Sequence, residues 1–122
     1  MSNLGNIPLF KISWSQDEVS NAVDSITRGS HWAKGPYIQE FENLISEYIG
    51  IDHSYAVNSG TTALVTALKA LGVGPGDEVI VPSFTFIATA NSVRICGATP
   101  VFADVEKETY GLDPASVEDC IT

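Results

Sequence analysis

The sequence predicts an α/β layered fold with a largely parallel sheet, and two observations carry this prediction. Short apolar runs of strand character alternate with segments in which apolar residues recur at helical spacing, in the order strand, helix, strand, helix, strand. The connections between these segments are short, which is typical of strands that share one sheet covered by helices. At 122 residues the chain is long enough for one domain with its own core.

The first third of the chain contains two predicted helices. Residues 7–14 alternate apolar and polar side chains and predict an extended arm. Ser15 is a predicted helix cap, an apolar face follows it, and Gly29 ends that helix. The second helix covers 38–49 and is closed by Gly50. In domain terms, we expect 1–37 to form an arm, a helix and a loop, and 38–122 to begin the α/β layer.

The loop from Ser30 to Pro36 places an imidazole, an indole and an amine together. Such residues on loops are enriched at binding sites, yet the same loop can act as a connector only. Whether His31, Trp32 or Tyr37 contacts a substrate therefore stays open at this point.

The segment from Asn58 to Leu64 is where the chain turns from a strand to a helix. The run 54–57 has strand character, and apolar residues at helical spacing follow Thr62. A helix start carries partial positive charge and backbone N–H groups without internal partners, so it can bind a phosphate. Gly60 permits close approach, and nearby hydroxyls add donors. Asn, Ser and Thr are also ordinary cap residues, so capping and ligand binding both stay open from this segment alone.

The remaining elements follow at short intervals. The glycine-rich segment 72–77 follows a helix and precedes a strand, so it is a helix stop and a turn rather than a nucleotide-binding loop. The predicted elements after it are a strand over 78–81 ended by Pro82, a helix over 87–95, a strand over 100–103 and a short helix from Asp113 through Glu118.

The segment Ser59 to Thr62 and the side chain of Phe86 both lie just beyond the carboxyl ends of predicted strands. In parallel sheets, ligands bind beyond those ends. The phosphate-binding segment from Ser59 to Thr62, here called the phosphate seat, and the aromatic ring of Phe86 are therefore expected to share one site. This combination suits a flat phosphorylated cofactor.

Charge and composition exclude several classes of function. Six basic against 15 acidic residues give a net charge of −9, with no basic cluster, so nucleic-acid binding is not expected. No apolar stretch approaches membrane-spanning length and no secretion signal is evident, so a cytoplasmic protein without a membrane partner is expected. Cys96 and Cys120 have no metal-type spacing and are interpreted as buried or incidental thiols; no metal site is predicted.

Four ordered blocks of the chain resemble the DegT/DnrJ/EryC1/StrS family, pyridoxal phosphate enzymes of the aspartate aminotransferase fold that mostly aminate keto groups on nucleotide-linked sugars. The first is Gly35-Pro36 with Phe41-Glu42, and the second is Asn58 to Leu64. The third and fourth are Gly74 to Phe86 and Gly97 to Val105. The resemblance implies the N-terminal part of the large domain of a fold type I, three-layer sandwich, with an incomplete sheet.

The resemblance also implies a site. Gly60, Thr61 and Thr62 match the positions that hold the phosphate of pyridoxal 5′-phosphate, and Phe86 matches the aromatic residue stacked on its ring. It implies amino transfer, with glutamate as donor and a nucleotide-linked keto-sugar as acceptor, by a homodimer. No catalytic residue is assigned within the chain, because none of Lys11, Lys34, Lys69 and Lys107 matches the family's Schiff-base lysine.

Three expectations follow from that missing lysine and from the family's strand order. The 122 residues are expected to be the N-terminal part of a longer enzyme and to be inactive alone. Their three strands are expected to lack bridging partners. The alternatives left open are a dehydratase of the same superfamily, a non-catalytic module that binds a phosphorylated ligand or a partner chain, and a truncated product without separate function.

Overall fold

The computed structural model describes residues 8–29 and 35–122. The chain divides into two compact units, Met1–Ala56 and Val57–Thr122. The first unit contains helices α1 (Gln16–Thr27) and α2 (Pro36–Ile49), and the second contains α3 (Gly60–Ala70), β1 (Glu78–Pro82), α4 (Ala88–Ile95), β2 (Thr99–Ala103) and α5 (Pro114–Asp119). The order of helices and strands predicted from Gly60 onward is the order observed.

Helix α1 begins directly after Ser15, whose side chain caps it. The Ser15 hydroxyl accepts a hydrogen bond from the Asp17 N–H at 3.1 Å, and the Glu18 carboxylate accepts from the Ser15 N–H. The Ser15 hydroxyl also donates to the Glu18 carboxylate at 2.6 Å, and this bond, together with that from the Ser15 N–H, holds the Glu18 pKa below its ordinary value. Residues 8–14 before the helix form neither helix nor strand, and their apolar side chains are exposed. The remainder of the predicted arm and residues 30–34, with His31 and Trp32, lie outside the described residues.

Helix α2 begins two residues before its predicted start, because Pro36 occupies the first helical position, where a missing N–H costs nothing. It ends at Gly50, whose φ of 78° is the left-handed conformation expected of a glycine cap. Beyond it, the Ser54 hydroxyl donates to the Glu42 carbonyl at 2.5 Å, and the Glu42 carboxylate accepts from the Ala56 N–H at 2.8 Å. These bonds attach residues 54–56 to the side of α2.

The strand predicted over 54–57 is wrong, since these residues form no strand. A strand exists only where a neighbouring chain supplies a ladder of hydrogen bonds. The Ala56 N–H is instead bonded to the Glu42 side chain, and the two described strands pair with each other. The apolar run alone therefore predicted a strand, but the described residues contain no segment that pairs with it.

Strands β1 and β2 form a parallel pair, with Glu78 opposite Thr99 and Pro82 opposite Ala103. Pro82 belongs to β1 rather than merely ending it. Proline has no N–H to donate, but the next residue, Ser83, donates to the Ala103 carbonyl at 2.8 Å and so extends the ladder. The expectation of an α/β arrangement with an incomplete sheet is confirmed by this two-stranded sheet.

The core of the second unit lies where α4 covers this sheet. Val93 is 1% exposed and packs with the buried residues Val81 and Ala98, while Leu68 of α3 borders the same cluster. Cys96 is buried and Cys120 is half-buried, and both are free thiols, as their spacing indicated. In the described part of the chain, none of the helices has the length and apolar character needed to cross a membrane.

Two helices of this unit end in the same way, which provides a matched test of tight packing. Gly72 follows α3 with φ of 84°, and Gly97 follows α4 with φ of 87°. A Cβ on Gly72 would meet no atom within 4 Å, whereas a Cβ on Gly97 would lie 3.1 Å from Pro75 Cγ. Both positions need glycine for their backbone, but only Gly97 also needs it for space.

We therefore expect Gly97→Ala to be more destabilising than Gly72→Ala. Backbone strain alone is expected to cost Gly72→Ala about 1 kcal/mol, and the contact with Pro75 adds about 1 kcal/mol for Gly97→Ala. Urea unfolding of both variants beside the unchanged protein measures the difference. Equal losses of unfolding free energy in the two variants would show that Pro75 moves away from the new Cβ without a measurable energy cost.

Candidate functional site

The start of α3 is built from the segment that the sequence singled out. Ser59 is the cap residue, its hydroxyl accepts from the Thr62 N–H at 3.1 Å, and its carbonyl accepts from the Ala63 N–H at 3.0 Å. The N–H groups of Gly60 and Thr61 have no acceptor among the described residues. Two backbone donors at the positive end of an 11-residue helix are thus available to a ligand.

Side chains around this helix start form a second set of hydrogen bonds. The Thr62 hydroxyl donates to Asn58 Oδ1 at 2.8 Å and lies 2.9 Å from the Ser59 hydroxyl. Of the two roles that the sequence left as alternatives, capping is observed, and the residues with free donors are not those that cap. Ser59 and Thr62 cap the helix, and Gly60 and Thr61 carry the free donors.

A pocket of about 500 Å³ lies beside these donors. Its volume falls within the range of about 300–1,000 Å³ typical of small-molecule sites. The lining residues are Gly60, Thr61, Ala63, Leu64, Phe86, Ala88 and Thr89. The structure therefore brings three of the four predicted site residues to one pocket. Thr62 is the fourth, and it is not part of the lining.

Phe86 supplies the aromatic surface of the pocket and is 76% exposed. Its carbonyl accepts from the Thr89 N–H at 3.0 Å at the start of α4, so its backbone is fixed by a helix start rather than left in a free loop. The exposed ring contrasts with Val93 of the helix that follows, which is 1% exposed and fills the core. Phe86 is therefore not part of the buried core of this unit, and its ring is available at the pocket.

The chemistry of the lining suits an anion joined to a flat apolar group. The lining contains no carboxylate, although the chain as a whole has a net charge of −9. The positive charge that favours an anion here is therefore the partial charge at the start of α3. The remaining lining is apolar except for two threonine hydroxyls, those of Thr61 and Thr89. A phosphate at the helix start and a ring against Phe86 fit this arrangement.

Ala63, Leu64, Ala88 and Thr89 also line the pocket, although the sequence does not mark them as site residues. A signal for Thr89 is present, because a residue three positions after Phe86 at a helix start lies on the same side of the chain. Ala63 and Leu64 belong to the predicted phosphate-binding segment from Asn58 to Leu64, but the resemblance assigns the phosphate to Gly60, Thr61 and Thr62 only. No property of their side chains distinguishes a lining alanine or leucine from a core one.

Tyr37, left open by the sequence, has its hydroxyl engaged within the first unit. It donates to Asp24 at 2.5 Å, and the Arg28 guanidinium donates to it at 3.1 Å. The bond with Asp24 raises the pKa of Tyr37, and the same bond, together with that from Arg28, lowers the pKa of Asp24. These hydrogen bonds connect α1 and the first turn of α2.

A smaller pocket of about 210 Å³ lies within the first unit, between α2 and the residues that follow it. Its lining is mostly polar: Gln39, Glu42, Asn43, Ser46, Asp52, His53, Ser54 and Tyr55. Among the described residues no group of three or more histidine, cysteine or carboxylate side chains is placed to hold a metal ion. Of these lining residues, Glu42 and Ser54 are joined by the hydrogen bond between the Ser54 hydroxyl and the Glu42 carbonyl.

The chain is similar to known proteins over nearly its whole length. Residues 14–122 match the model of the DegT/DnrJ/EryC1/StrS aminotransferase family. GDP-perosamine synthase of Caulobacter vibrioides is 57% identical over 88 residues, which are 72% of this chain and 24% of that protein.

Two solved structures resemble this chain in both fold and sequence. DesV of S. venezuelae, in complex with a ketimine intermediate, has a TM-score of 0.80 at 42% identity, over 88% of this chain and 29% of that one. NtdA of Bacillus subtilis, with bound cofactor PMP, has a TM-score of 0.79 at 37% identity, over 88% of this chain and 26% of that one. The chain thus spans less than a third of the length of each of these relatives.

Proposed function

The chain belongs to the DegT/DnrJ/EryC1/StrS aminotransferase family, and on that basis we propose that its pocket binds pyridoxal 5′-phosphate in a sugar aminotransferase. The family's fold is that of the fold type I pyridoxal phosphate enzymes, as the sequence predicted, and its cofactor is pyridoxal phosphate. The observation that carries the proposal is a pocket that unites free N–H groups of a helix start with an exposed phenyl ring.

Each residue of the pocket has a separate task in this proposal. Gly60 and Thr61 bind the phosphate through their N–H groups, and the Thr61 hydroxyl adds a third donor. Phe86 stacks on the pyridine ring, fixes its plane and excludes water from one face. Thr62, predicted from the sequence as a direct phosphate ligand, acts through the cap of α3. When bound, the cofactor supplies an electron sink that the side chains themselves do not provide.

The described residues account for cofactor binding and leave amino transfer to groups elsewhere. Of the lysines, Lys11, Lys69 and Lys107 lie in the described part of the chain, and none of them lines the pocket. An amine is needed to move a proton at the carbon that accepts the amino group. We therefore propose that the amine comes from outside the described residues and that these residues alone do not transaminate.

The substrates are proposed from the relatives. GDP-perosamine is a nucleotide-linked amino sugar, so the name of the Caulobacter relative supports a nucleotide-linked keto-sugar as the acceptor here. Glutamate as donor and a homodimer with sites between subunits follow from membership of the family. The domain assignment is likewise a proposal, with the whole chain contributing to the large cofactor-binding domain.

Phe86→Ala tests the proposed pocket. Loss of the stacking surface is expected to weaken binding of pyridoxamine 5′-phosphate about tenfold, which corresponds to about 1.4 kcal/mol. Pyridoxamine 5′-phosphate is the suitable probe because, unlike the aldehyde form, it does not react with surface lysines. Equilibrium dialysis with the full-length protein measures the affinity.

Phe84→Ala is the matched control, since Phe84 is 79% exposed, two residues away, and outside the pocket lining. It is expected to change the affinity less than about twofold, because an exposed ring that touches no ligand adds little to binding. Equal losses for both variants would count against a specific role for Phe86.

A further inference from the structure

The hydroxyl hydrogens of Ser59 and Thr62 are donated in a fixed order, from Ser59 to Thr62 and from Thr62 to Asn58. A threonine hydroxyl has one hydrogen to donate, and that of Thr62 goes to Asn58 Oδ1 at 2.8 Å. The 2.9 Å contact between the two hydroxyls must then have Ser59 as its donor and Thr62 as its acceptor. Ser59 Oγ in turn accepts the Thr62 N–H at 3.1 Å. The amide oxygen of Asn58 thus determines the direction of the whole set.

This direction determines which donors face the pocket. The hydrogens of the Ser59 and Thr62 hydroxyls are both used within the set, so neither is available to an anion. The donors left at the helix start are the N–H groups of Gly60 and Thr61 and the hydroxyl of Thr61, and both of these residues line the pocket. Thr62 does not line it.

We propose that Asn58 is a positioning residue of the phosphate seat: by accepting the Thr62 hydroxyl it fixes the cap of α3 and the aim of the two free N–H groups. This inference rests on the proposed function. Without the Asn58 acceptor, the Thr62 hydroxyl is free to rotate and to reverse its contact with Ser59 Oγ, so the Ser59 side chain is no longer held in the orientation that accepts the Thr62 N–H. The cap then weakens, the first turn of α3 frays, and the N–H groups of Gly60 and Thr61 lose their fixed direction.

Two substitutions at Asn58 separate the cap from the charge at the seat. Asn58→Ala removes the acceptor. Asn58→Asp keeps an acceptor for the Thr62 hydroxyl but places a negative charge beside the phosphate. A positioning role predicts that Asn58→Ala loses both the cap and the preference for phosphate, whereas Asn58→Asp keeps the cap and loses the preference.

The first measurement needs no ligand. Hydrogen–deuterium exchange is measured on the full-length protein. The Thr62 N–H is expected to exchange about tenfold faster in Asn58→Ala than in the unchanged protein, because about one hydrogen bond is lost. Asn58→Asp is expected to exchange at the unchanged rate. An unchanged rate in Asn58→Ala overturns the proposal, whether or not a ligand binds.

The second measurement compares dialysis affinities for pyridoxamine 5′-phosphate and for pyridoxamine, which lacks the phosphate. The ratio of the two affinities is expected to fall about tenfold in Asn58→Ala and in Thr62→Val, with no further fall in the double variant, because both changes break one set of bonds. A merely structural role would lower both affinities together and leave the ratio unchanged, which overturns the proposal.

Two other outcomes separate this inference from the proposed function. A fall in the ratio for Thr62→Val, with none for Asn58→Ala, makes Thr62 a direct phosphate ligand and overturns the positioning role while leaving cofactor binding intact. No preference for the phosphate in the unchanged protein refutes the proposed function, and the positioning role fails with it.

Discussion

Gly60→Asp is expected to weaken binding of pyridoxamine 5′-phosphate by about 30- to 100-fold while the protein stays folded. A carboxylate at the first position of α3 repels the phosphate by about 2–3 kcal/mol after screening by solvent. The same carboxylate stabilises the helix start by about 0.3–1 kcal/mol, because it complements the helix dipole. Binding and stability therefore change in opposite directions. Dialysis and urea unfolding of the same preparation measure both.

Gly60→Ala is the control for the added side chain. A Cβ at Gly60 would meet no atom within 4 Å, so neither substitution is expected to disturb the surrounding structure. The difference between the aspartate and alanine variants isolates the effect of charge. If the two variants bound the phosphate ligand equally, no anion could lie at the start of α3.

Val93→Asp is expected to cost about 3–5 kcal/mol of folding free energy, the cost of an uncompensated buried charge. Val93 is 1% exposed and packs in the centre of the small core between α4 and the sheet. Domains are stable by only about 5–15 kcal/mol, so this single change removes much or all of the stability. Urea unfolding followed by circular dichroism measures the loss.

Arg94→Asp is the neighbouring control. Arg94 lies on the same helix and is exposed, so an aspartate there replaces a favourable interaction with the helix end by an unfavourable one, each worth about 0.3–1 kcal/mol. Similar losses at positions 93 and 94 would mean that the core does not lie under α4.

The sequence predicted the second unit well because its elements are specified by neighbouring residues. Ser59 and Asp113 each cap a helix through their own side chains, and proline begins α5 at its first position. The turns after α3 and α4 require left-handed glycines, which Gly72 and Gly97 supply. Such signals act within a few residues, so they can be read without knowledge of the tertiary structure.

The predictions that failed or stayed incomplete depend on side-chain contacts that composition does not show. The run 54–57 has the composition of a strand, but whether it becomes one depends on a partner far along the sequence, and Glu42 takes up the Ala56 N–H instead. The separate roles proposed here for Thr61 and Thr62 depend on the hydrogen bond that the Asn58 oxygen accepts from Thr62. Adjacent residues of the same type are indistinguishable by composition, so the sequence assigned both to the phosphate.

The most direct test of the central claim is hydrogen–deuterium exchange of the backbone with and without pyridoxamine 5′-phosphate. The proposed site predicts slower exchange at the N–H groups of Gly60 and Thr61 and at the Thr89 N–H bonded to the Phe86 carbonyl. Pyridoxamine without the phosphate should leave Gly60 and Thr61 unchanged. Slower exchange confined to residues outside this pocket, or none at all, would contradict the account.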